Sequence, residues 1–518
     1  MNIPDRLRDV DVSNVYDVFE ATAAERGDAL AVEMNGREFS YTDLESRAAR
    51  FAGGLRERGL DAGDRLLVYL PNCPEYVVGS LGAFRAGVVV SPVNPQYKAR
   101  ELGHQLTDTE AAAVLTHPAL REHLDEACEE HGLDPTIVEV GEGSPGAVAF
   151  GAVDADPVRA DTTLDTVAMQ PYTSGTTGKP KGVHLTHRNL HAQAYSGFQL
   201  SEVPPEEEKS LAVLPLYHIT GFVHSTWQPL VRGGSVYLRN PGEWDPVETM
   251  RTMEEAEVTG FIGVATMFVD MVNHERFGEF DLSSLETVNQ GGAKMPTAVQ
   301  ETFEETASLS MSEGYGLTET TAATHTGHGT TYGPKLGSIG QPLRMTDCKI
   351  VDDDGEEVEP GETGELLVRG PQVMDGYHGL PEATRRAFTD AGYFRTGDVA
   401  RRDEDNYYEI VDRKKHTINT AGYNVYPSEV ESLLYEHEGV ADVAVVGVPD
   451  ERRNEVPKAF VVPANEQVTP EELKEFTLEN LAEYKHPREV EFVESFPRTA
   501  SGKVRKFKLV EDEEGDDE

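Results

Sequence analysis

The sequence is poor in cysteine, in basic residues and in long apolar runs, and each shortage excludes a class of protein. The three cysteines, Cys73, Cys128 and Cys348, are too few and too far apart for a disulfide framework or a zinc site. No uninterrupted apolar run has the length of a membrane-spanning helix, and the first residues lack the charged and apolar regions of a secretory signal. We therefore expect a soluble, cytoplasmic protein without integral membrane association.

The shortage of basic residues leaves the chain strongly acidic. Only 46 Lys and Arg stand against 92 Asp and Glu, which gives a formal net charge of −46. Such a charge repels nucleic acid and anionic membrane surfaces, so neither is an expected partner. A generally acidic enzyme is one interpretation, but a surplus of this size favours a halophilic protein, because molar salt screens self-repulsion to about 3 Å. Residues 511–518 are predicted to form a disordered acidic tail.

The length of 518 residues exceeds what one compact core organises, so at least two domains are expected. The apolar pattern predicts strands at 65–70 and 88–93 around a helix at 74–86, and an earlier helix that begins at a capping box in Thr42–Glu45. This alternation predicts an α/β fold, in which layered sheets and helices form a large N-terminal domain at residues 1–411.

A second, small α+β domain is predicted at residues 412–510. From Asp347 onward the pattern already changes to hairpins, and the charged segment Asp412–Lys415 marks the boundary. The signals beyond it are a capping box at Ser428–Glu431, strands at 443–448 and 458–462, and a helix that begins at Thr469.

The most informative stretch is a loop between two predicted strands that is rich in small hydroxyl residues, glycine and lysine. Backbone N–H groups and hydroxyls in such a loop can face phosphate oxygens, and Lys179 and Lys181 add positive charge. A Walker A loop is excluded because Gly175 and Gly178 are too close together and Pro180 follows the first lysine. Phosphate binding is therefore favoured over a plain surface turn. The candidate ligands are Thr173, Ser174, Gly175, Thr176, Thr177, Gly178 and Lys179.

The loop resembles the phosphate-binding signature of the adenylate-forming superfamily, which contains acyl-CoA synthetases, peptide-synthetase adenylation domains and luciferases. The resemblance runs from about Val15 to about Lys508 and includes several separate motifs in the family's order. It implies an AMP-forming acyl-CoA synthetase, or fatty-acid–CoA ligase, with an adenylation domain at 1–411 and a mobile domain at 412–510. ATP, Mg²⁺ and coenzyme A are then the expected cofactors, and a small carboxylic acid is the expected substrate.

The run Gly-Tyr-Gly-Leu-Thr-Glu that ends at Glu319 resembles the family's next signature. By that resemblance Tyr315 offers a flat face to the purine, Gly316 allows close backbone approach, and Thr318 contacts the α-phosphate. Glu319 supplies an oxygen to Mg²⁺, and Thr173 lies near the same ion.

Two more segments match nucleotide-binding positions of the family. Gly292 and Ala293 match the end of the strand that walls the adenine, although Lys294 stands where relatives usually have proline. Asp398 matches a carboxylate that accepts hydrogen bonds from both ribose hydroxyls, a task for which two neighbouring oxygens are suited.

The segment Asp412–Lys415 resembles the hinge between the family's domains. Arg413 matches a ribose- or phosphate-contacting residue, and Lys415 matches the pivot about which the small domain rotates between half-reactions. Gly422 matches the residue that lets the phosphopantetheine arm pass close to the backbone. His416 stands where relatives usually have an acid, so the hinge contacts of this chain depart from the family pattern.

Lys503 matches the family's catalytic lysine, which bridges the substrate carboxylate and the α-phosphate. A mobile ammonium suits this task because repulsion between the two anions is a large part of the barrier. His218 matches a residue beside the reacting carboxylate and completes a catalytic set with Thr318 and Glu319. Phe222 matches a position that gates the acyl tunnel in fatty-acyl members.

The acid is predicted from the apolar character of two segments. No Arg or Lys stands in residues 212–222 or 261–268, where a second carboxylate or a polar tail would need a partner. A medium- or long-chain fatty acid is therefore favoured. The alternatives are an aryl acid, a carrier protein loaded in trans in place of CoA, and a non-catalytic nucleotide-binding regulator. Assembly as a homodimer is left open.

Overall fold

A computed structural model describes residues 10–173, 180–200, 203–292, 295, 297–330, 332–421, 423–450, 452–465, 467–498, 504–506, 508 and 509. Internal contacts divide the chain into two units, Met1–Cys348 with Val368–Phe394, and Lys349–Leu367 with Arg395–Glu518. The predicted acidic tail, 511–518, lies outside the described residues. The predicted domain boundary at 412 stays a prediction.

The first unit contains two large, mostly parallel sheets. In spatial order, one consists of Ser312–Glu313, Thr287–Gln290, Gly260–Gly263, Lys209–Ala212, Ser235–Leu238, Leu30–Met34 and Arg37–Ser40. The other consists of Gly376–Tyr377, Lys181–Thr186, Val167–Met169, Val89–Pro92, Arg65–Tyr69, Ala113–Thr116, Thr136–Glu139 and Val148–Ala149, with Tyr172–Thr173 paired to Lys181–Thr186. A smaller antiparallel sheet consists of Tyr315–Leu317, Ala322–Thr326 and Gln341–Pro342.

Helices connect and cover these sheets, which is the layered α/β architecture that the sequence predicts. The α-helices of the first unit are Val15–Arg26, Tyr41–Glu57, Pro74–Ala86, Ala99–Thr109, Arg121–His131, His187–Leu200, Ile219–Phe222, Gln228–Arg232, Pro246–Glu255, Ala265–Val272, Thr297–Ala307 and Pro381–Ala387. A π-helix, Val223–Trp227, joins two of them.

Three phenylalanine rings form part of the hydrophobic core between the first of these sheets and its helices. The rings of Phe261 and Phe268 meet nearly edge to face with centroids 5.5 Å apart, and the rings of Phe268 and Phe303 meet likewise at 5.1 Å. All three side chains are fully buried. Such contacts add a geometric preference to the burial of apolar area, so this part of the core has one favoured packing.

Two further sheets consist mostly of residues of the second unit. One runs in the order Asp347–Val351, Gly364–Arg369, Phe394–Arg402 and Tyr408–Arg413, and the ends of its first three strands belong to the first unit. The other runs Tyr423–Val425, Ile418–Thr420, Asn454–Pro463 and Val440–Asp450, and Glu489–Phe492 pairs with Asn454–Pro463. Helices Pro427–Leu434 and Pro470–Asn480 accompany the second sheet. The predicted strands at 443–448 and 458–462 are confirmed and extend further at both ends.

Helix ends that are fixed by proline and glycine agree with the sequence prediction. The helix Pro74–Ala86 has the predicted bounds, because proline begins it and Gly87 ends it in the left-handed region at φ +71°. The helix Pro470–Asn480 begins as predicted, since Thr469 accepts a hydrogen bond from the Glu472 N–H at 3.2 Å.

The capping box predicted at Thr42–Glu45 is wrong by two residues. Ser40 is the N-cap of helix Tyr41–Glu57, and its hydroxyl accepts the Asp43 N–H at 3.0 Å. The Asp43 carboxylate accepts the Ser40 N–H in return, also at 3.0 Å. Both pairs fit the motif, but the strand Arg37–Ser40 ends at Ser40, and its extended backbone places the cap there.

The capping box predicted at Ser428–Glu431 is also wrong. Helix Pro427–Leu434 has Tyr426 at its N-cap and no side-chain cap. The Ser428 hydroxyl donates instead to the carbonyl oxygen of Val411, and the Glu431 carboxylate accepts the Val445 N–H at 2.6 Å. Tertiary partners therefore use both side chains that the pattern assigned to the cap.

None of the helices in the described part of the chain combines the length and the apolar character that a bilayer crossing requires.

The corrected cap gives a stability prediction. We expect Ser40→Ala to lower the free energy of unfolding by about 1 kcal/mol, because the Asp43 N–H loses its acceptor at the start of the helix. Thr42→Ala is the matched control, since Thr42 is exposed inside the first turn, and it should change stability by less than about 0.5 kcal/mol. Urea unfolding of both variants measures the difference. A loss in Thr42→Ala as large as that in Ser40→Ala, or larger, would contradict the assignment of the cap to Ser40.

Candidate functional site

The two ends of the phosphate-binding loop lie side by side in one sheet. Strand Tyr172–Thr173 pairs antiparallel with strand Lys181–Thr186, and Thr173 stands opposite Lys181 in the register. The loop residues between them that were proposed as ligands, Ser174 to Lys179, lie outside the described residues. The strand pairing therefore fixes the entry and the exit of the loop at adjacent positions.

The segment with the second signature forms a strand and a tight turn. Tyr315–Leu317 is the strand, and Thr318–Thr320 is a single 3₁₀ turn. The buried Thr320 hydroxyl accepts the Leu317 N–H and donates to the Ala322 carbonyl oxygen, each at 2.8 Å. Thr318 and Glu319 stay partly exposed on the same turn. One short turn therefore carries both the predicted α-phosphate contact, Thr318, and the predicted Mg²⁺ ligand, Glu319.

Gly316 is required by close packing in this strand pair. A Cβ atom on Gly316 would stand 1.7 Å from the carbonyl oxygen of Ala322 on the paired strand. That atom belongs to the backbone, so it has no side-chain freedom with which to move away. The glycine thus sets how closely the turn's two arms approach each other.

Tyr377 connects the signature turn with the strand that follows the phosphate loop. Its hydroxyl donates to Glu319 Oε1 at 3.0 Å, and Tyr377 pairs with Val183 in the neighbouring strand. The Lys181 ammonium lies 4.9 Å from the centre of the Tyr377 ring. Burial and the Glu319 carboxylate raise the pKa of Tyr377, so its hydroxyl remains a donor.

A second hydrogen-bonded group lies beside the loop ends. The Tyr172 hydroxyl donates to the Asp108 carboxylate, and the His378 ring contacts the Asp108 carbonyl oxygen at 3.0 Å. His184 Nε2 and His378 Nδ1 are also 3.0 Å apart. Burial and the neighbouring His378 lower the pKa of His184, which favours a neutral ring. Neither Tyr377 nor this group was identified from the sequence, because their contacts join residues that are far apart in the chain.

The predicted adenine wall and the predicted purine-facing tyrosine follow neighbouring strands. Strands Thr287–Gln290 and Ser312–Glu313 pair in parallel, so Gly292 and Tyr315 come shortly after their carboxyl ends. Ligands of open α/β sheets bind at such ends. The Tyr315 ring meets the His325 ring edge to face with centroids 5.9 Å apart. Ala293 lies outside the described residues.

His218 stands at the start of the short helix Ile219–Phe222. Its side chain is exposed, and its ring centre lies 4.5 Å from that of Tyr217. Phe222 is buried and packs against Tyr76 and Phe84, with ring centroids 6.5 and 6.1 Å away. The same helix lies against the strand Ala322–Thr326 that follows the signature turn. The helix of the predicted acyl segment and the strand that follows the signature turn are therefore in contact.

In the second unit, Asp398 is buried and paired with Arg413. The two residues stand opposite each other in the strand register, and Arg413 Nε lies 2.7 Å from Asp398 Oδ1. The guanidinium therefore holds this buried carboxylate in place through a charge-assisted contact. Lys415 follows in the 3₁₀ turn Lys414–His416, where burial and the nearby Arg413 lower its pKa.

The segment that resembles a hinge is held by Asp412. Its carboxylate accepts the Ser428 N–H at 2.8 Å and lies 3.7 Å from His416 Nδ1. Burial alone would raise the pKa of Asp412, but the contact with His416 and the Ser428 N–H lower it. His416, the departure from the family pattern, therefore contacts the first residue of the hinge segment. Gly422 and Lys503 lie outside the described residues.

Comparisons with known proteins identify the family of the chain. A family described as AMP-binding enzyme matches residues 19–378, and one described as AMP-binding enzyme C-terminal domain matches residues 429–503. The chain belongs to the AMP-binding enzyme family, within the adenylate-forming superfamily.

Two curated relatives illustrate the range of that family. A feruloyl-CoA synthase from an Amycolatopsis species is 37% identical over 92% of this chain and 94% of its own length. A long-chain-fatty-acid–CoA ligase from Bacillus subtilis is 34% identical over 95% of this chain and 93% of its own length. Among solved structures, ATP-bound MatB from Rhodopseudomonas palustris is similar with a TM-score of 0.86 at 30% identity, over 96% of this chain and 99% of that one.

The close packing at Gly316 gives a prediction for the site. We expect Gly316→Ala to displace the signature turn and to lower the rate of acid-dependent pyrophosphate release about 10²-fold, because misplacement by about 1 Å has effects of that size. Gly314→Ala is the matched control, since its Cβ would meet only ordinary contacts at 3.8 and 3.9 Å. Thermal melting of both variants checks that they fold. Equal activity in the two folded variants would contradict the packing argument.

Proposed function

We propose that the protein joins a hydrophobic carboxylic acid to coenzyme A in two half-reactions. In the first, the carboxylate attacks the α-phosphate of ATP, pyrophosphate leaves, and an acyl-adenylate forms. In the second, the CoA thiol attacks the acyl carbon and AMP leaves. Membership of the AMP-binding family, with CoA ligases similar over nearly the whole chain, makes the protein an AMP-forming acid–thiol ligase.

The observation that carries this proposal is the contact of Tyr377 with both Lys181 and Glu319. The phenol holds a carboxylate on the signature turn and an ammonium beside the loop strand in one place. A carboxylate and a hydroxyl, here those of Glu319 and Thr173, are a donor set that suits Mg²⁺, which binds few protein oxygens and shares phosphate oxygens. When bound, Mg²⁺ neutralises charge on the triphosphate. Lys181 offsets further negative charge, and Thr318 contacts the α-phosphate.

The remaining site residues receive proposed roles from the same family pattern. Asp398 accepts the ribose hydroxyls, and the Arg413 guanidinium orients it. Tyr315 and the Gly292–Ala293 segment enclose the adenine, and the loop from Ser174 to Lys179 binds phosphate. Gly422 gives passage to the pantetheine arm, and Lys415 is the pivot of the small domain. His218 orients the reacting carboxylate.

The acid is a medium- or long-chain fatty acid in this proposal. The segments 212–222 and 261–268 contribute apolar side chains, and neither contains Arg or Lys to pair with a second carboxylate. Relatives named long-chain-fatty-acid–CoA ligase support this class. The feruloyl-CoA synthase at 37% identity favours an aryl acid as the second candidate. We further propose that the protein works in the cytoplasm.

A pyrophosphate-release assay separates the substrate candidates. Straight-chain acids of increasing length are compared with benzoate and ferulate at equal concentration, with ATP, Mg²⁺ and molar KCl present. The highest kcat/KM is expected for a medium or long chain. A maximum at ferulate would select the aryl candidate, and no release with any acid would contradict the ligase proposal.

A variant of Lys503 tests the proposal that this residue acts in adenylate formation and not in thioester formation. We expect Lys503→Ala to lower adenylate formation about 10²–10³-fold, because it removes the cation between two anions. Thioester formation from preformed acyl-adenylate should be spared. Lys508→Ala is the matched control, since Lys508 is an exposed lysine close by in the chain. Equal impairment of both half-reactions by Lys503→Ala would contradict the assigned role.

The net charge of −46 supports the proposal that the protein is adapted to high salt. Unscreened repulsion acts over roughly 30 Å at about 0.01 M ionic strength but only about 3 Å at about 1 M. We therefore expect molar KCl to raise both the melting temperature and the activity. Thermal melting over a KCl series measures this, and a midpoint that is flat or falls with salt would contradict the halophilic interpretation.

A pair of exposed acids offers a variant for the same experiment. Glu475 and Glu479 are one helical turn apart on the outer side of helix Pro470–Asn480, where like charges repel each other. Replacing both with Gln should raise the melting temperature in dilute buffer and leave it unchanged in molar KCl.

A further inference from the structure

The backbone after the signature turn has an unusual conformation. Thr321 and Ala322 follow Thr320 directly and have φ values of +53° and +81°. Two successive non-glycine residues rarely adopt the left-handed backbone conformation. Contacts with the surrounding structure must therefore hold Thr321 and Ala322 in it. Because Thr318 and Glu319 are on the turn just before this pair, whatever holds the pair also sets their positions.

Two side chains from other helices, His224 and Gln193, form hydrogen bonds with the backbone on both sides of this pair. The Ala323 N–H donates to His224 Nε2 at 3.2 Å. Gln193 Nε2 donates to the carbonyl oxygen of Ala323 at 2.6 Å and to that of Thr320 at 3.2 Å. The strained pair therefore lies between backbone groups whose hydrogen bonds come from outside the turn.

The hydrogen bonds determine which His224 nitrogen carries the proton. The Ala323 N–H is a donor, so Nε2 must accept and the proton must be on Nδ1. Nδ1 then donates to Gln228 Oε1, 2.8 Å away. Gln228 Nε2 donates in turn to the Gln193 carbonyl oxygen at 2.6 Å. Burial lowers the pKa of His224, which agrees with the neutral ring that this chain of bonds requires.

These side chains come from the elements that flank the other parts of the site. His224 lies in the π-helix Val223–Trp227, which continues the helix Ile219–Phe222 of the proposed acyl segment. Gln193 is fully buried in helix His187–Leu200, which follows the strand after the phosphate loop. Single π-turns inside α-helices are frequent at functional sites. The network therefore joins three parts of the site through fixed hydrogen bonds.

We propose that His224, Gln193 and Gln228 are positioning residues for the turn that carries Thr318 and Glu319. The inference rests on the proposed function, in which those two residues contact the α-phosphate and Mg²⁺. If the hydrogen bonds from His224 and Gln193 are lost, Thr321 and Ala322 relax toward common φ values, and the turn moves away from the nucleotide. Thr318 and Glu319 are still present, but they bind Mg·ATP and its transition state less tightly because the turn is displaced.

Two replacements of His224 test this geometry. Gln places an acceptor near the position of Nε2, whereas Asn reaches only the position of Nδ1, so it can contact Gln228 but not the Ala323 N–H. We expect His224→Asn to raise the ATP KM and the Mg²⁺ concentration for half-maximal rate about tenfold, with kcat/KM for ATP lower about 10²-fold. His224→Gln should restore most of this loss. Equal loss in both variants, or wild-type constants in both, would overturn the proposal.

Gln193→Met provides an independent variant, because it keeps the side-chain length and removes the donor. Its control is Gln300→Met, which alters a buried glutamine in helix Thr297–Ala307 whose contacts are with Glu304 and Met311. Loss of folded protein alone would lower kcat and leave the ATP KM and the Mg²⁺ requirement unchanged. An unchanged ATP KM in folded Gln193→Met would overturn the proposal. If the wild-type protein releases no pyrophosphate with any acid, the proposed function fails instead.

Discussion

The hydrogen bond from Tyr377 to Glu319 is the contact on which the candidate site depends most. A carboxylate on a one-turn 3₁₀ element has many rotamers, and the phenol selects one of them at 3.0 Å. The selection is transmitted to the loop strand, because Tyr377 pairs with Val183 and its ring lies beside the Lys181 ammonium. The cation, the donor and the carboxylate thus have fixed places before any nucleotide arrives, which is the preorganisation that charge stabilisation requires.

The same principle appears in each unit with different chemistry. Asp398 is fixed by a guanidinium, whereas the signature turn is fixed by neutral amide and imidazole groups. A neutral network suits the turn, since an additional buried charge beside the proposed phosphate contacts would alter the field that those contacts supply. A charged partner suits Asp398, because a guanidinium offsets the cost of burying a carboxylate and holds it in one orientation.

The sequence predicted those parts of the molecule that depend on local rules. The helix Pro74–Ala86 was predicted with its correct bounds because proline and Gly87 act within a single turn. The cap at Ser428 was predicted wrongly because the Val411 carbonyl oxygen, a tertiary partner, takes its hydroxyl. The signature segments are short runs of characteristic residue types, so they could be recognised from the sequence. Tyr377, His224 and Gln193 could not, since each acts on a residue far away in the chain, and no spacing rule encodes such contacts.

An acidic protein that binds an anionic nucleotide must separate its long-range field from its local one. The net charge of −46 opposes the approach of ATP from solution, but salt weakens that repulsion beyond about 8 Å at about 0.15 M and more strongly at higher concentration. Contacts of a few ångströms in a partly buried site are screened far less. The proposed attraction of the site for phosphate would therefore survive under the conditions that remove the repulsion. The two proposals, a surface adapted to high salt and a cationic nucleotide site, are thus compatible, because salt acts mainly on the surface.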